Sequence, residues 1–189
     1  MIKKLFLVLM FCLIAAQSYA TDIDVGISAT SREATTGGWT WIETSNGANA
    51  SGDLDHLEFY GGFFFELDIV FATFNDEGSN TYSTVNTISA ISITSDTFHE
   101  FDAPGDFSAL PITEGDYLGA YIETTAYYDA SGGGGAALKN GNFVPASSVT
   151  FLYNSGYAIS INGSGETTAS SLGIRIFGNN FSISNGGLY

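Results

Sequence analysis

Five pairs of carboxylates stand two residues apart: Asp22/Asp24, Asp53/Asp55, Glu66/Asp68, Glu100/Asp102 and Glu114/Asp116. In an extended segment the members of each pair share one face, with backbones ~7 Å apart. Such a spacing would suit the two carboxyls of a glycoside hydrolase, which sit about 5 to 9 Å apart across the sugar. Half of the 20 acidic residues fall in these pairs, however, which describes an acidic surface rather than one selected dyad. The two histidines, His56 and His99, are 43 positions apart, and no Gly-x-Ser-x-Gly elbow accompanies them. Neither a Ser-His-Asp triad nor a His-ligated zinc has a local signature here. Both histidines therefore read as surface or rim residues, and the chain reads as a non-enzyme.

Calcium is the cation that suits the remaining acids, because it takes hard oxygen ligands from loop carboxylates, amides and carbonyls. The candidate ligands are Asp53 and Asp55, after the Asn46–Gly52 loop, and Asp76 and Glu77, beside Asn75. Neither group matches a calcium-loop motif, so the alternative is solvated loop acids, and no other cofactor is expected. Aromatic side chains offer a second chemistry, since sugar rings stack on exposed aromatic faces while Asp, Asn and Glu accept hydroxyl hydrogen bonds. Tyr127, Tyr128 and Asp129, next to the glycine run Gly132–Gly135, form the expected binding loop; Trp39 and Trp41 are further candidates. The two tryptophans alternate on one strand face, which makes burial the competing expectation for them.

Residues 1–20 carry Lys3 and Lys4, an apolar run from Leu5 to Ala16, and Ser18-Tyr19-Ala20, the pattern of a secretory signal peptide. The expected product starts at Thr21 and is secreted or displayed at the cell surface. Loss of the two lysines takes the net charge from −15 to −17, with Arg32, Lys139 and Arg175 the remaining bases. Three bases cannot build the cationic patches that nucleic acid or an anionic membrane surface requires. Cys12, Met1 and Met10 all precede Thr21, so disulfides, thiol catalysis and Cys-ligated metals are excluded from the remainder.

The elements that must position these groups read as strands. Ile23, Val25, Ile27 and Ala29 alternate with polar residues, as do Trp39, Trp41 and Glu43, giving half-buried strands. A long Asn/Gly/Ser loop follows. Leu57 and Phe59 open a third strand, Gly61-Gly62 form a turn, and Phe63–Phe74 is the strongest segment. Further strands are expected at Tyr82–Val85, Ile88–Ile93, Phe98–Phe101, Tyr117–Glu123, Val149–Tyr153, Tyr157–Ile161, Leu172–Phe177 and Phe181–Ser184. Gly119 within Tyr117–Glu123 marks a bend or a close backbone approach, and Ser131–Gly135 a mobile surface loop. With no convincing helical repeat, residues 21–189 read as one all-β domain, an antiparallel β-sandwich.

Ala48–Gly52, Gly115–Tyr121 and Tyr157–Ile161, in that order, resemble stretches of uncharacterised secreted or phage-associated β-sandwich modules, over about residues 25 to 165. The resemblance implies a jelly-roll-like fold and transfers no catalytic residues. The function these readings favour is an exported binding module for carbohydrate or another neutral polymer. One alternative is a self-associating surface or fibre component, to which the terminal segment Leu172–Tyr189 could donate a strand. A lesser one is a small outer-membrane barrel.

Overall fold

Period-two alternation governs the first strand, β1 (Asp22–Gly26): Ile23 and Val25 are buried while Asp22 and Asp24 are exposed. The structure, a computed structural model, describes residues 21–61, 67–93, 97–123, 125–167, 172–177 and 180–185. The expected signal peptide, residues 1–20, lies outside the described residues. Next come β2 (Ala34–Thr36), β3 (Trp39–Glu43), β4 (Gly52–Gly61), β5 (Leu67–Gly78), β6 (Thr81–Thr87), β7 (Ile91–Ile93), β8 (Thr97–Asp102) and β9 (Leu110–Ile112). The remainder are β10 (Tyr117–Ile122), β11 (Ala126–Asp129), β12 (Ala136–Asn140), β13 (Val149–Thr150), β14 (Leu152–Asn154), β15 (Ala158–Ile159), β16 (Ile161–Thr167), β17 (Leu172–Phe177) and β18 (Asn180–Asn185).

These strands build an antiparallel β-sandwich, the expected fold class. The first sheet runs β1-β16-β4-β11-β15, with β2 on β11 and both β8 and β9 on β4. The second runs β13-β6-β5-β10-β3-β12-β14, with β7 on β5. By contacts the chain divides into two units: Asp22–Thr167 holds both large sheets, and in the other β17 and β18 pair with each other as an antiparallel hairpin. The segment considered as a strand donor thus pairs within itself over these residues.

The main core lies between the two sheets, where Leu54, Leu57 and Phe59 of β4 meet Ile69 and Phe71 of β5 and Leu118 of β10. A smaller core covers the other side of the second sheet. There Ile42, Ala72, Phe74 and Tyr82 pack against Ala146 and Phe151, with Phe143 and Val144 beside them. Two covered faces explain why β3 is buried at Thr40, Trp41, Ile42 and Glu43 alike. They also explain Gly119: a Cβ there would lie 2.5 Å from the Trp41 carbonyl oxygen and 2.7 Å from the Phe74 ring, the close approach its position suggested.

Three local expectations need correction. The Phe-rich strand continues to Gly78, because Asn75 and Asp76 pair with Ser83 and Tyr82 of β6; residues 62–66 lie outside the described ones. Tyr127–Asp129 is strand β11 rather than a loop, held between β2 and β15. The neighbouring glycine run is tied down: Gly133 N–H donates to Gly156 O and Gly135 N–H to Tyr157 O, each at 2.8 Å, while Gly135 O accepts from Thr44 N–H at 3.1 Å. Gly133 is required by packing, since a Cβ would sit 2.5 Å from the Tyr157 carbonyl carbon.

Candidate functional site

The outer face of the first sheet centres on β4. Leu57 and Phe59 point into the core, so His56, Glu58 and Tyr60 point outward. Residues directly opposite across a strand pair share a face. On β8 these are Asp102 opposite His56, Glu100 opposite Glu58 and Phe98 opposite Tyr60. On β16, Ser164 lies opposite His56 and Asn162 opposite Glu58. Phe101 of β8 faces the core instead, as does His99, whose ring stacks on Phe59 and Phe101. The two histidines thus occupy opposite faces of one sheet.

A bulge sets the position of His56. Ser164 pairs with His56 and Gly165 with Leu54, which leaves Asp55 as the extra residue on β4. Leu54 and Leu57 can therefore both face the core while His56 keeps the outward alternation of Glu58 and Tyr60. At the same place β4 passes from pairing with β9 to pairing with β8, and the Asp55 carbonyl accepts Ala103 N–H at 2.8 Å.

Aromatic rings form a row on this face. Tyr127 of β11 meets Tyr60 edge-on, with ring centroids 5.2 Å apart, and Phe98 stands across from Tyr60 on β8 with 39% of its surface exposed. Three adjacent strands at ~4.8 Å spacing make the row ~10 Å long, about the length of two linked sugar rings. Beside it, His56 Nδ1 lies 2.7 Å from Asp102 Oδ1, and His56 Nε2 lies 3.7 Å from Glu58 Oε1. The hydrogen bond to Asp102, reinforced by the charges of Asp102 and Glu58, holds the imidazole pKa above its usual value against partial burial. A Glu100 carboxylate oxygen belongs to the same group: one ligand atom each from His56, Glu58 and Glu100 lie within 4.8 Å of one another.

No protein-family model, curated protein or solved structure matches this chain.

The expected site residues are dispersed by the fold. Successive strand residues point to opposite faces, so Tyr127 joins the outer row while Tyr128 turns inward. There Tyr128 packs 5.0 Å from Trp41 and 5.3 Å from Tyr157, ring centroid to centroid. Trp41 is 1% exposed, so it forms the floor of this inner cluster and no sugar ring reaches it from solvent. Trp39 is half-buried and packs on the main core. Asp129 is taken by Arg32, whose Nη1 donates to its carboxylate while Nε donates to Ser160 Oγ at 2.7 Å and Nη2 to Ser28 O at 2.9 Å. That clamp ties the segment after β1 to β11 and to Ser160.

The proposed calcium ligands occupy separate places. Asp53 is half-buried on β4 and Asp55 is exposed at the bulge. Asp76 accepts Gly78 N–H at 2.7 Å at the end of β5, and Glu77 accepts the Ser83 and Ser148 hydroxyls, each at 2.6 Å. Those two hydroxyls hold the Glu77 pKa below its usual value. Among the described residues, neither pair joins a group of three or more closely spaced His, Asp or Glu ligands.

Sequence reasoning missed Tyr60, Phe98 and the His56 group as site residues. The signal available was the shared parity of His56, Glu58 and Tyr60 on one strand and of Phe98, Glu100 and Asp102 on another. What brings the two sets together is long-range strand pairing, which parity alone does not reveal.

Proposed function

We propose that this chain is an exported, non-enzymatic binding module that takes a neutral polyhydroxylated polymer, a glycan chain, across the outer face of its first sheet. The observation that carries this reading is the row Tyr127–Tyr60–Phe98, three rings on one face flanked by Glu58, Glu100 and Asn162. Rings supply apolar faces for the C–H surfaces of sugars, and the adjacent carboxylates and amide accept or donate hydrogen bonds to hydroxyls. The site shifts from the expected loop to a sheet face, which holds the rings in fixed register and lowers the ordering cost of binding. The acidic surface disfavours anionic polymers by like-charge repulsion, which is why the expected ligand is neutral.

Retention on a panel of insoluble neutral polysaccharides tests the reading. Tyr60→Ala and Phe98→Ala should each weaken retention about tenfold, ~1.4 kcal/mol, while Trp39→Phe should leave it unchanged. Retention on no member of the panel, or retention insensitive to both ring deletions, would refute it.

A further inference from the structure

On the outer face of the first sheet, the imidazole of His56 is held from behind and open in front. Its Nδ1 lies 2.7 Å from Asp102 Oδ1 and its Nε2 lies 3.7 Å from Glu58; with the Nδ1 proton donated to Asp102, a metal that displaces the Nε2 proton takes the Nε2 lone pair on the side of Glu58. A carboxylate behind an imidazole is the arrangement by which metal-binding histidines are oriented and made more basic. Glu58 and Glu100 stand directly opposite each other on β4 and β8. Like charges directly opposite each other destabilise a sheet, and a cation bound between them would relieve the repulsion. One atom each of His56, Glu58 and Glu100 already lie within 4.8 Å of one another, and His56 and Glu58 are about three-quarters covered, with side-chain exposures of 29% and 26%.

We propose that His56, Glu58 and Glu100 bind a divalent transition-metal ion, zinc above all, with Asp102 as the positioning residue behind the imidazole. One imidazole nitrogen and two carboxylates are a borderline donor set that zinc accepts at ~2.0 to 2.2 Å. Calcium wants six to eight oxygens and gains little from a nitrogen. Donor atoms around a tetrahedral zinc lie ~3.4 Å apart, so small rotations of the Glu58 and Glu100 side chains close the site. All four of the ligating and positioning residues stand on the paired strands β4 and β8 in direct register, His56 opposite Asp102 and Glu58 opposite Glu100, which fixes their backbones before the ion arrives. The site leaves coordination positions open toward solvent. It stands independently of the glycan reading, because its donors and geometry require no sugar.

The chain's two histidines make the test internal. In purified protein without a polyhistidine tag, imidazole 15N resonances are followed during titration with zinc chloride near neutral pH, with assignments taken from His56→Gln. The expected result is that the His56 Nε2 resonance moves and saturates at one equivalent, while His99, on the inner face, stays in place. Calorimetry should show zinc affinity weakened more than tenfold by His56→Gln or Glu58→Gln, and by about 10- to 100-fold by Asp102→Asn. Calcium at the same concentration should leave His56 unmoved. A His56 resonance indifferent to excess zinc would overturn the proposal without recourse to any variant. So would zinc affinity within twofold of the parent in a folded His56→Gln protein, or calcium competing equally with zinc.

Discussion

Glu43 is a carboxylate on the core-facing side of β3, 0% exposed, and it joins the two sheets of the sandwich. Its Oε2 accepts the Ile159 N–H of β15 at 2.8 Å; its Oε1 accepts the Ser45 N–H at 2.9 Å and the Ser45 hydroxyl. Glu43→Ala removes every one of these acceptors. The buried Ile159 N–H then loses its side-chain partner, at a cost of ~1 to 3 kcal/mol, and the vacated volume adds a cavity term. A total of ~2 to 4 kcal/mol corresponds to a fall in Tm of about 5 to 15 °C for a chain of this length.

The same residue carries a pH signature. Burial raises the Glu43 pKa above its usual value, more than its hydrogen bonds and the nearby Arg32 charge lower it. The folded state therefore holds this proton to a higher pH than the unfolded chain, whose glutamates titrate near ~4.3. By linkage, the stabilisation is fully present below the unfolded pKa and is lost as pH rises through the folded one. Urea unfolding of the parent and of Glu43→Gln, measured at steps between pH 4 and pH 8, isolates this contribution because all other carboxylates are common to both. The stability of the parent relative to Glu43→Gln should fall as pH rises. A difference that is flat or grows with pH, or a Glu43→Ala loss under 1 kcal/mol, would refute the reasoning.

Two further outcomes follow from the packing. Gly119→Ala should cost ~2 kcal/mol or more, because the added methyl meets the Trp41 carbonyl oxygen at 2.5 Å with strands β3 and β5 paired on either side of β10; a melting temperature within 1 °C of the parent would show that β10 can move away. Arg32→Ala should free the segment between β1 and β2 from Asp129, Ser160 and Ser28. Proteinase K should then cleave within residues 27–33 at least several-fold faster, and an unchanged cleavage rate would mean that backbone contacts alone hold the segment.

Where burial is one-sided, the sequence pattern was sufficient to find a strand. Ile23 and Val25 against Asp22 and Asp24, or Leu57 and Phe59 against Glu58 and Tyr60, show the parity that a sheet with one wet face imposes. Short or doubly covered strands carried no such mark. Ala34–Thr36, Leu110–Ile112 and Ala136–Asn140 are three to five residues long, and Ala136, Ala137 and Leu138 are buried in succession because β12 has cover on both faces. Tyr127–Asp129 was hidden by the glycines after it, which read as a loop while in fact anchoring to Gly156 and Tyr157.

The acidic residues divide in a way that composition alone conceals. Glu43 reads by type as a solvated strand position, and its burial is made tolerable by the N–H and hydroxyl of Ser45 together with the Ile159 amide, 116 residues away. Glu100 and Asp102 on β8 are an ordinary i, i+2 carboxylate pair, indistinguishable in sequence from Asp53/Asp55 or Glu114/Asp116, and His56 and Glu58 on β4 share the same spacing. The register of β4 on β8 sets one pair against the other and converts two unremarkable spacings into a four-residue constellation around a single imidazole. A one-residue slip of that register would turn Phe98, Glu100 and Asp102 toward the core and Phe101 toward solvent. Burying Phe101 against Phe71 in the main core therefore also fixes the geometry of the His56 group on the opposite face.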